Sequence, residues 1–225
     1  MPMKKIIALI LFVMCFVPVF SQHAGDSIDC SDRIGYSWMK SYGNANSEFV
    51  SDVAVDNAGN IYVAGTFAET LSIDGSSVVS AGNTDFYIAK MSPEGSVIWL
   101  KSGGSNAVEQ ANAIALDANG NVYVAGLSND NTTFDGNRFP SLGDNDGFLL
   151  KLDNDGNMVY VRTLGCYNDD NANDVVVDGN NNVIVTGYFN FALQISSTSL
   201  FQTARGANDA FLVKFDSEGN LLWSM

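Results

Sequence analysis

The sequence predicts an all-β protein in which a unit of four short strands is repeated three times. Similar stretches recur every 61 residues, at 51–65, 112–126 and 173–187. Within each unit apolar residues alternate with polar ones, as they do along half-buried strands. Asn, Asp and Gly separate these runs, and no segment after residue 21 keeps a helical period.

The repeat extends beyond these stretches, because other residues keep nearly the same spacing. The recurring residues are Asp56, Asp117 and Asp178; Gly43, Gly104 and Gly165; Lys90, Lys151 and Lys214; and Trp38, Trp99, Tyr160 and Trp223. Such a period predicts a repeat architecture, in which each unit buries a face against its neighbour.

In the first unit we predict strands A to D at 52–56, 60–67, 86–91 and 97–101. Glycines in the A–B and C–D turns supply the positive φ that tight hairpins need. Four antiparallel strands cannot bury both faces alone, so successive sheets stack around an axis, with strand A at the centre and strand D at the rim. The fold class is therefore a β-propeller built of four-stranded antiparallel blades.

We expect residues 1–21 to be a signal peptide, followed by an N-terminal linker at 22–33. Lys4 and Lys5 precede an apolar run at 6–20, and Ser21 offers a small residue for cleavage. The run is short for a bilayer span, which needs about 20 apolar residues. We therefore expect a secreted or cell-surface protein without membrane insertion after cleavage.

Residues 34–225 are expected to hold the repeats. The predicted parts are a leading strand at 34–42 and blades at about 43–103, 104–164 and 165–225. Propellers typically have 4 to 8 blades. We therefore expect an incomplete propeller whose further blades belong to the same longer chain; the alternative is that several chains assemble.

The repeat motif resembles a known family. Asp-x-x-Gly-Asn-Val/Ile-Tyr-Val-Ala-Gly, then Asp-x-Phe/Tyr-x-x-Lys, then Gly-x-x-x-Trp, is similar to the bacterial β-propeller repeat called the SBBP repeat. The third copy departs from it at Ile184 and Thr186, where Tyr and Ala are usual. The resemblance implies a secreted or surface propeller, commonly a module of a longer chain, and no particular activity.

Charge and composition exclude several functions. The net charge of −14, with only 11 Lys and Arg, argues against nucleic acid, since phosphate binding needs clustered basic residues. The single histidine, His23, stands near the start of the mature chain, and Cys30 and Cys166 lie far apart as expected free thiols. A Ser-His or Cys-His pair is therefore excluded. We expect no enzyme activity, no zinc site and no cofactor.

Recurrent aspartates are expected to be structural. Asp56, Asp117 and Asp178 end strand A, where each carboxylate can accept backbone N–H groups of the next turn. Asp85, Asp146 and Asp209 precede strand C and are expected to tie the loop backbone. The lysine five residues after each of them would lie at the rim or meet an acid of a neighbouring blade.

Calcium is the one metal that the sequence leaves open. Residues 153–157, Asp-Asn-Asp-Gly-Asn, resemble the start of a calcium loop but lack the Glu at its twelfth position. Their counterparts in the other units are hairpin turns. A plain turn is therefore the favoured interpretation.

The binding-site candidates are Glu48, Glu109 and Asp170, in the D–A connections. These connections leave the blades on the same face as the long, variable B–C connections at 68–84, 128–145 and 190–208. Loops held by a rigid scaffold commonly carry function. We therefore expect a scaffold or binding module that presents this face to an extracellular protein or glycan. The alternatives are an accessory propeller domain of a larger secreted hydrolase, with its catalytic part outside this chain, and a purely structural stalk.

Overall fold

The computed structural model describes residues 38–43, 47–129, 131–196 and 201–225, the last range without the side chain of Phe201. These residues form three consecutive four-stranded antiparallel blades and three short hairpins, and no helix occurs among them. The predicted leader, the linker and residues 34–37 lie outside the described residues. The all-β propeller fold is confirmed.

The strands of each blade are ordered A, B, C, D in space, as predicted. Blade 1 consists of β1 (Glu48–Val55), β2 (Ile61–Phe67), β5 (Asp85–Met91) and β6 (Val97–Gly104). Blade 2 consists of β7 (Gln110–Leu116), β8 (Val122–Asn129), β11 (Asn145–Leu152) and β12 (Met158–Gly165). Blade 3 consists of β13 (Asn171–Val177), β14 (Val183–Phe189), β17 (Asp209–Phe215) and β18 (Leu221–Ser224).

The B–C connections are not simple loops, and this corrects the sequence analysis. Each contains a hairpin, namely β3–β4 (Thr70–Ile73, Ser76–Val79), β9–β10 (Thr133–Phe134, Asn137–Arg138) and β15–β16 (Ala192–Ile195, Phe201–Thr203). In the first two, Asp74-Gly75 and Asp135-Gly136 take positive φ at both positions, which is the signature of a type I′ turn. The strands are too short for alternation to reveal them.

Two of these hairpins extend the preceding blade. β9 pairs with β6, with Gly103 opposite Phe134, and β15 pairs with β12, with Leu164 opposite Ile195. Each hairpin thus belongs to one blade by sequence and to the previous blade by hydrogen bonding. This pairing covers part of the outer strand edge, which would otherwise be open to other chains.

The core lies in the seams between blades. In the seam of blades 1 and 2, Tyr62, Phe86 and Ile88 pack with Phe148 and Leu150. The equivalent seam of blades 2 and 3 holds a second cluster that includes Tyr123, Leu149, Val185, Phe211 and Val213. Every residue of β5 is buried, because its alternate side chains serve opposite faces of the blade. The A strands β1, β7 and β13 are neighbours in turn, as expected for strands nearest the axis.

Residues 38–43 lie on blade 1 as a D strand lies on the following blade. Trp38 Nε1 donates to Pro93 O at 2.8 Å, and Trp99 Nε1 donates to Asn154 O, one repeat later, at 3.2 Å. Residues 38–43 nevertheless form no strand. The first part of the predicted leading strand, at 34–37, lies outside the described residues, so its bounds remain a prediction. The described residues include no helix long and apolar enough to cross a membrane.

Candidate functional site

The candidate carboxylates of the D–A connections are largely inaccessible. Glu109 and Asp170 have no exposed surface, and Glu48 is half-buried. The expectation that they contact a ligand is wrong for Glu109 and Asp170. The sequence could not reveal their burial, because Thr132 and Asn190, which donate to them, lie 20 or more positions later in the chain.

Glu109 ties a D–A connection to the hairpin of blade 2. Its carboxylate accepts the Ser105 amide at 3.0 Å and the Thr132 hydroxyl at 3.1 Å, and it also accepts the Ser105 hydroxyl. Asp170 repeats this arrangement in blade 3, accepting the amides of Cys166 at 2.6 Å and Asn190 at 2.7 Å. These carboxylates hold the connections rigidly against the blades.

Burial changes the acidity of these groups. It raises the pKa of Glu109 above its ordinary value. The pKa of Asp170 rises to about 7, first because of burial and then because of the nearby carboxylates of Asp146 and Asp169, although two backbone hydrogen bonds oppose the rise. Asp170 is therefore partly protonated at neutral pH.

The aspartates before strand C tie the B–C connection, as expected. Asp85 accepts the Ala81 amide at 2.8 Å, Asp146 accepts the Leu142 amide at 2.8 Å, and Asp209 accepts the Arg205 amide. A Cβ atom on Gly104 would lie 2.1 Å from the Asp85 carboxyl carbon. Close packing against this carboxylate therefore explains why glycine stands there.

The aspartates that end strand A cap the next turn, as expected. Asp56 accepts the amides of Ala58 and Asn60, both at 2.9 Å, and the Asn60 side chain at 2.8 Å. The same three contacts, shifted by one repeat, recur at Asp117 and Asp178.

The segment that resembles a calcium loop is also a turn of this kind. Asp153 accepts the Asp155 amide at 3.0 Å and the Asn157 amide at 2.8 Å. In the described part of the chain no group of three or more His, Cys, Asp or Glu could hold a metal ion.

Two of the three strand C lysines cross the seams. Lys90 Nζ donates to Asn154 Oδ1 at 2.5 Å, and Lys151 Nζ donates to Ser217 O at 2.7 Å. Both acceptors belong to the next blade, but neither is the carboxylate that the sequence analysis allowed. Lys214 Nζ instead lies 2.7 Å from the Asp178 carboxylate of its own blade. It holds the pKa of Asp178 well below its ordinary value.

The strand D aromatic residues pack between blades, as the repeat suggests. Trp99 lies over Gly156 of blade 2, where a Cβ atom would come within 3.1 Å of the indole, and Tyr160 lies over Gly219 in the same way. Trp223, in the last strand, is 39% exposed.

The two seams differ near the axis. We call the side with the D–A connections and the B–C hairpins the connection face. On this face, strand A carries a bulge at Ser51, Asn112 or Asn173, the residue that has no partner in the ladder. Asn112 crosses to blade 3 and donates to Asn171 Oδ1 at 2.7 Å and to Ala172 O at 2.9 Å. Ser51 is too short for this bridge, so a cleft remains between blades 1 and 2.

This connection-face cleft has a volume of about 290 Å³. Its lining residues are Phe49, Ser51, Thr66, Thr84, Gln110 and Asn112. None of them is charged, although the whole chain carries −14.

A second cleft of about 430 Å³ opens in the same seam on the opposite side, which we call the turn face. In the seam of blades 2 and 3, Asn181 Oδ1 accepts the Ala118 amide at 3.4 Å. The residue equivalent to Asn181 in blade 2 is Gly120, which lines the cleft and has no side chain to bridge the gap. The seam of blades 1 and 2 is thus more open at both faces.

Comparison with known families agrees with this architecture. Residues 103–131 match the family model described as SBBP: Beta-propeller repeat. Residues 103–131 thus carry a repeat of the SBBP type. The matched residues run from the end of β6 through β7 and β8, and so cover the D–A connection with Glu109 and two strands of blade 2.

A relative of this chain is described as an uncharacterized WD repeat-containing protein, L264, from Acanthamoeba polyphaga mimivirus. It is 26% identical over 160 residues, which cover 62% of this chain and 11% of the relative. The chain thus spans about one ninth of the relative's length. Together these findings identify a scaffold built of propeller repeats.

The one described cysteine does not suit nucleophilic chemistry. Cys166 is 3% exposed. Burial raises the pKa of its thiol, and the nearby carboxylates of Asp170 and Asp146 raise it further. The nucleophilic thiolate is therefore disfavoured. His23 and Cys30 lie outside the described residues.

Sequence reasoning missed the clefts, although a signal was present. Aligning the repeats by their period places Ser51 beside Asn112 and Gly120 beside Asn181. In both comparisons the seam of blades 1 and 2 has a short residue where the seam of blades 2 and 3 has an asparagine that bridges the two blades. A search for departures from the repeat, rather than for its recurring residues, would have found this seam.

Proposed function

We propose that this chain is a secreted, non-catalytic propeller module that binds an extracellular protein or glycan through its connection face. The observation that supports this most directly is the rigidity of that face. Glu109 and Asp170 fix the D–A connections from inside, and two of the hairpins are paired with the preceding blade. A preorganised surface loses little conformational entropy on binding.

The absence of catalysis is part of the same proposal. The thiol of Cys166 is buried, and the recurrent aspartates are occupied by the backbone of their own turns. A reaction centre needs groups that are free to act on a substrate. A panel of chromogenic glycoside and ester substrates tests this, and turnover by the purified chain would contradict it.

Binding is tested with the full-length secreted chain on glycan and extracellular-protein arrays. Tyr167→Glu places a charge on a 68% exposed residue of a D–A connection. Ala58→Glu places the same charge on an exposed A–B turn of the turn face and serves as the control. We expect binding that the first variant weakens and the second leaves unchanged. The proposal is overturned if neither array gives binding, or if only Ala58→Glu reduces it.

Export rests on the leader in the sequence and has its own test. Lys4 and Lys5, the apolar run at 6–20 and Ser21 predict cleavage before Gln22. Mass spectrometry of the protein recovered from culture medium should give an N-terminus at Gln22. Recovery only from inside the cell, with residues 1–21 intact, would contradict secretion.

A further inference from the structure

We propose that the connection-face cleft between blades 1 and 2 is a subsite for one neutral sugar residue, with Phe49 as the surface on which the sugar ring lies. This inference rests on the proposed function and names the class of ligand. It rests on three observations: an exposed aromatic ring, unused hydrogen-bonding groups and the absence of charge.

Phe49 is unusual for its position in the repeat. It is 64% exposed and lines the cleft, whereas the equivalent residues in blades 2 and 3 are Gln110 and Asn171. Leaving a phenyl ring in water forgoes up to about 1.5–3 kcal/mol of burial free energy. The apolar C–H face of a sugar ring can cover such a ring and recover part of that free energy.

The polar lining of the cleft has unused hydrogen-bonding capacity. Among the described residues, the hydroxyls of Ser51, Thr66 and Thr84 and the amide of Gln110 have no protein partner. Hydroxyls and amides both donate and accept, so they match sugar hydroxyls, which do the same. Small-molecule sites typically combine an apolar surface with a few convergent polar groups.

The absence of charge narrows the choice of ligand. Lys and Arg, which would select a phosphate or a uronic acid, do not line the cleft, and neither do Asp and Glu, which would select a cation. The volume of about 290 Å³ lies just below the roughly 300–1,000 Å³ of small-molecule pockets, so the cleft suits a small ligand. One neutral sugar residue fits these limits better than a peptide segment.

The equivalent position in the next seam shows how the cleft could be closed. There Asn112 fills the space and bonds to both Asn171 and Ala172. Ser51→Asn would place the same amide next to Gln110 and Ala111. This variant adds a contact that the fold already uses, so it should close the cleft without unfolding the chain.

The test uses the full-length secreted chain and four methyl glycosides at millimolar concentration, those of glucose, galactose, mannose and N-acetylglucosamine. Saturation-transfer NMR should detect at least one of them. Phe49→Ala should weaken binding at least about tenfold, and Ser51→Asn should abolish it. Ile98→Ala is the matched control, because it removes an apolar side chain from a 52% exposed position beside the C–D turn of blade 1, away from the connection face. It should change the affinity less than about twofold.

The outcomes separate this inference from the proposed function. Binding that survives both Phe49→Ala and Ser51→Asn overturns the cleft assignment. If no glycoside binds while an arrayed protein binds in a manner sensitive to Tyr167→Glu, the sugar subsite is wrong and the binding module stands. If no glycan or protein binds the folded chain, both fail. Circular dichroism of each variant confirms that a loss of binding is not a loss of fold.

Discussion

Removing the Glu109 carboxylate should destabilise the seam of blades 1 and 2. Glu109→Ala leaves the Ser105 amide and the hydroxyls of Ser105 and Thr132 without their acceptor. Hydrogen bonds to a charged group contribute about 1.5–3 kcal/mol each. The variant also no longer buries a charged group, which costs several kcal/mol inside a protein, and this gain offsets part of the loss of hydrogen bonds. We expect a net loss of about 2–4 kcal/mol of unfolding free energy.

Thermal and urea unfolding, followed by circular dichroism, measure this loss. A domain of 150–250 residues loses about 2–4 °C of Tm per kcal/mol, so the predicted fall is about 4–16 °C. The control is Glu94→Ala, in an exposed C–D turn, with an expected change within about 0.5 kcal/mol. Equal effects of the two variants would refute the role given to Glu109.

Three further predictions follow from the contacts in the seams. Asp170 has a folded-state pKa of about 7, above the value of about 3.9 in an unfolded chain. The folded state therefore holds the proton more tightly, and stability falls as pH rises through this window. Urea unfolding from pH 5 to 8 should show this fall, with a smaller slope in Asp170→Asn; an unchanged slope would contradict it. Trp99→Ala should lose about 2–4 kcal/mol, whereas Trp223→Ala, at a 39% exposed residue, should lose less than about 1 kcal/mol; equal losses in urea unfolding would argue against inter-blade packing. Gly126→Ala would put a Cβ atom 1.9 Å from a backbone carbonyl oxygen, while Gly206→Ala meets nothing within 4 Å, so only the first should lower Tm or solubility.

The parts of the fold that sequence reasoning found are local or periodic. Strands A to D, the A–B turns and the caps of Asp56 and its equivalents depend on residues within a few positions of one another. Because each local pattern recurs after 61 residues, it can be recognised by comparing the three copies. Stacking of the blades follows because no blade can bury both of its faces alone.

The parts that it missed depend on contacts between distant residues. Glu109 is buried because the hydroxyl of Thr132, 23 positions later, reaches it. Pairing of β9 with β6 is decided by how two blades meet, and a two-residue strand carries no periodic signal. The clefts arise where Ser51 and Gly120 differ from their equivalents, so the sequence marks the seam, but only the contacts of Asn112 and Asn181 in the next seam show what those differences remove.

Hydrogen–deuterium exchange of the full-length chain, read by mass spectrometry, tests the central claim that the hairpins β9–β10 and β15–β16 belong structurally to the preceding blade. We predict that peptides containing β9 and β15 are protected like the outer strands with which they pair, β6 and β12. Glu109→Ala should increase exchange around β9 and leave β15 protected, because Asp170 holds the other connection independently. If β9 and β15 of the unaltered chain exchange as fast as free loops, the claim is contradicted. Their pairing with β6 and β12 would then not hold the hairpins of the connection face in place.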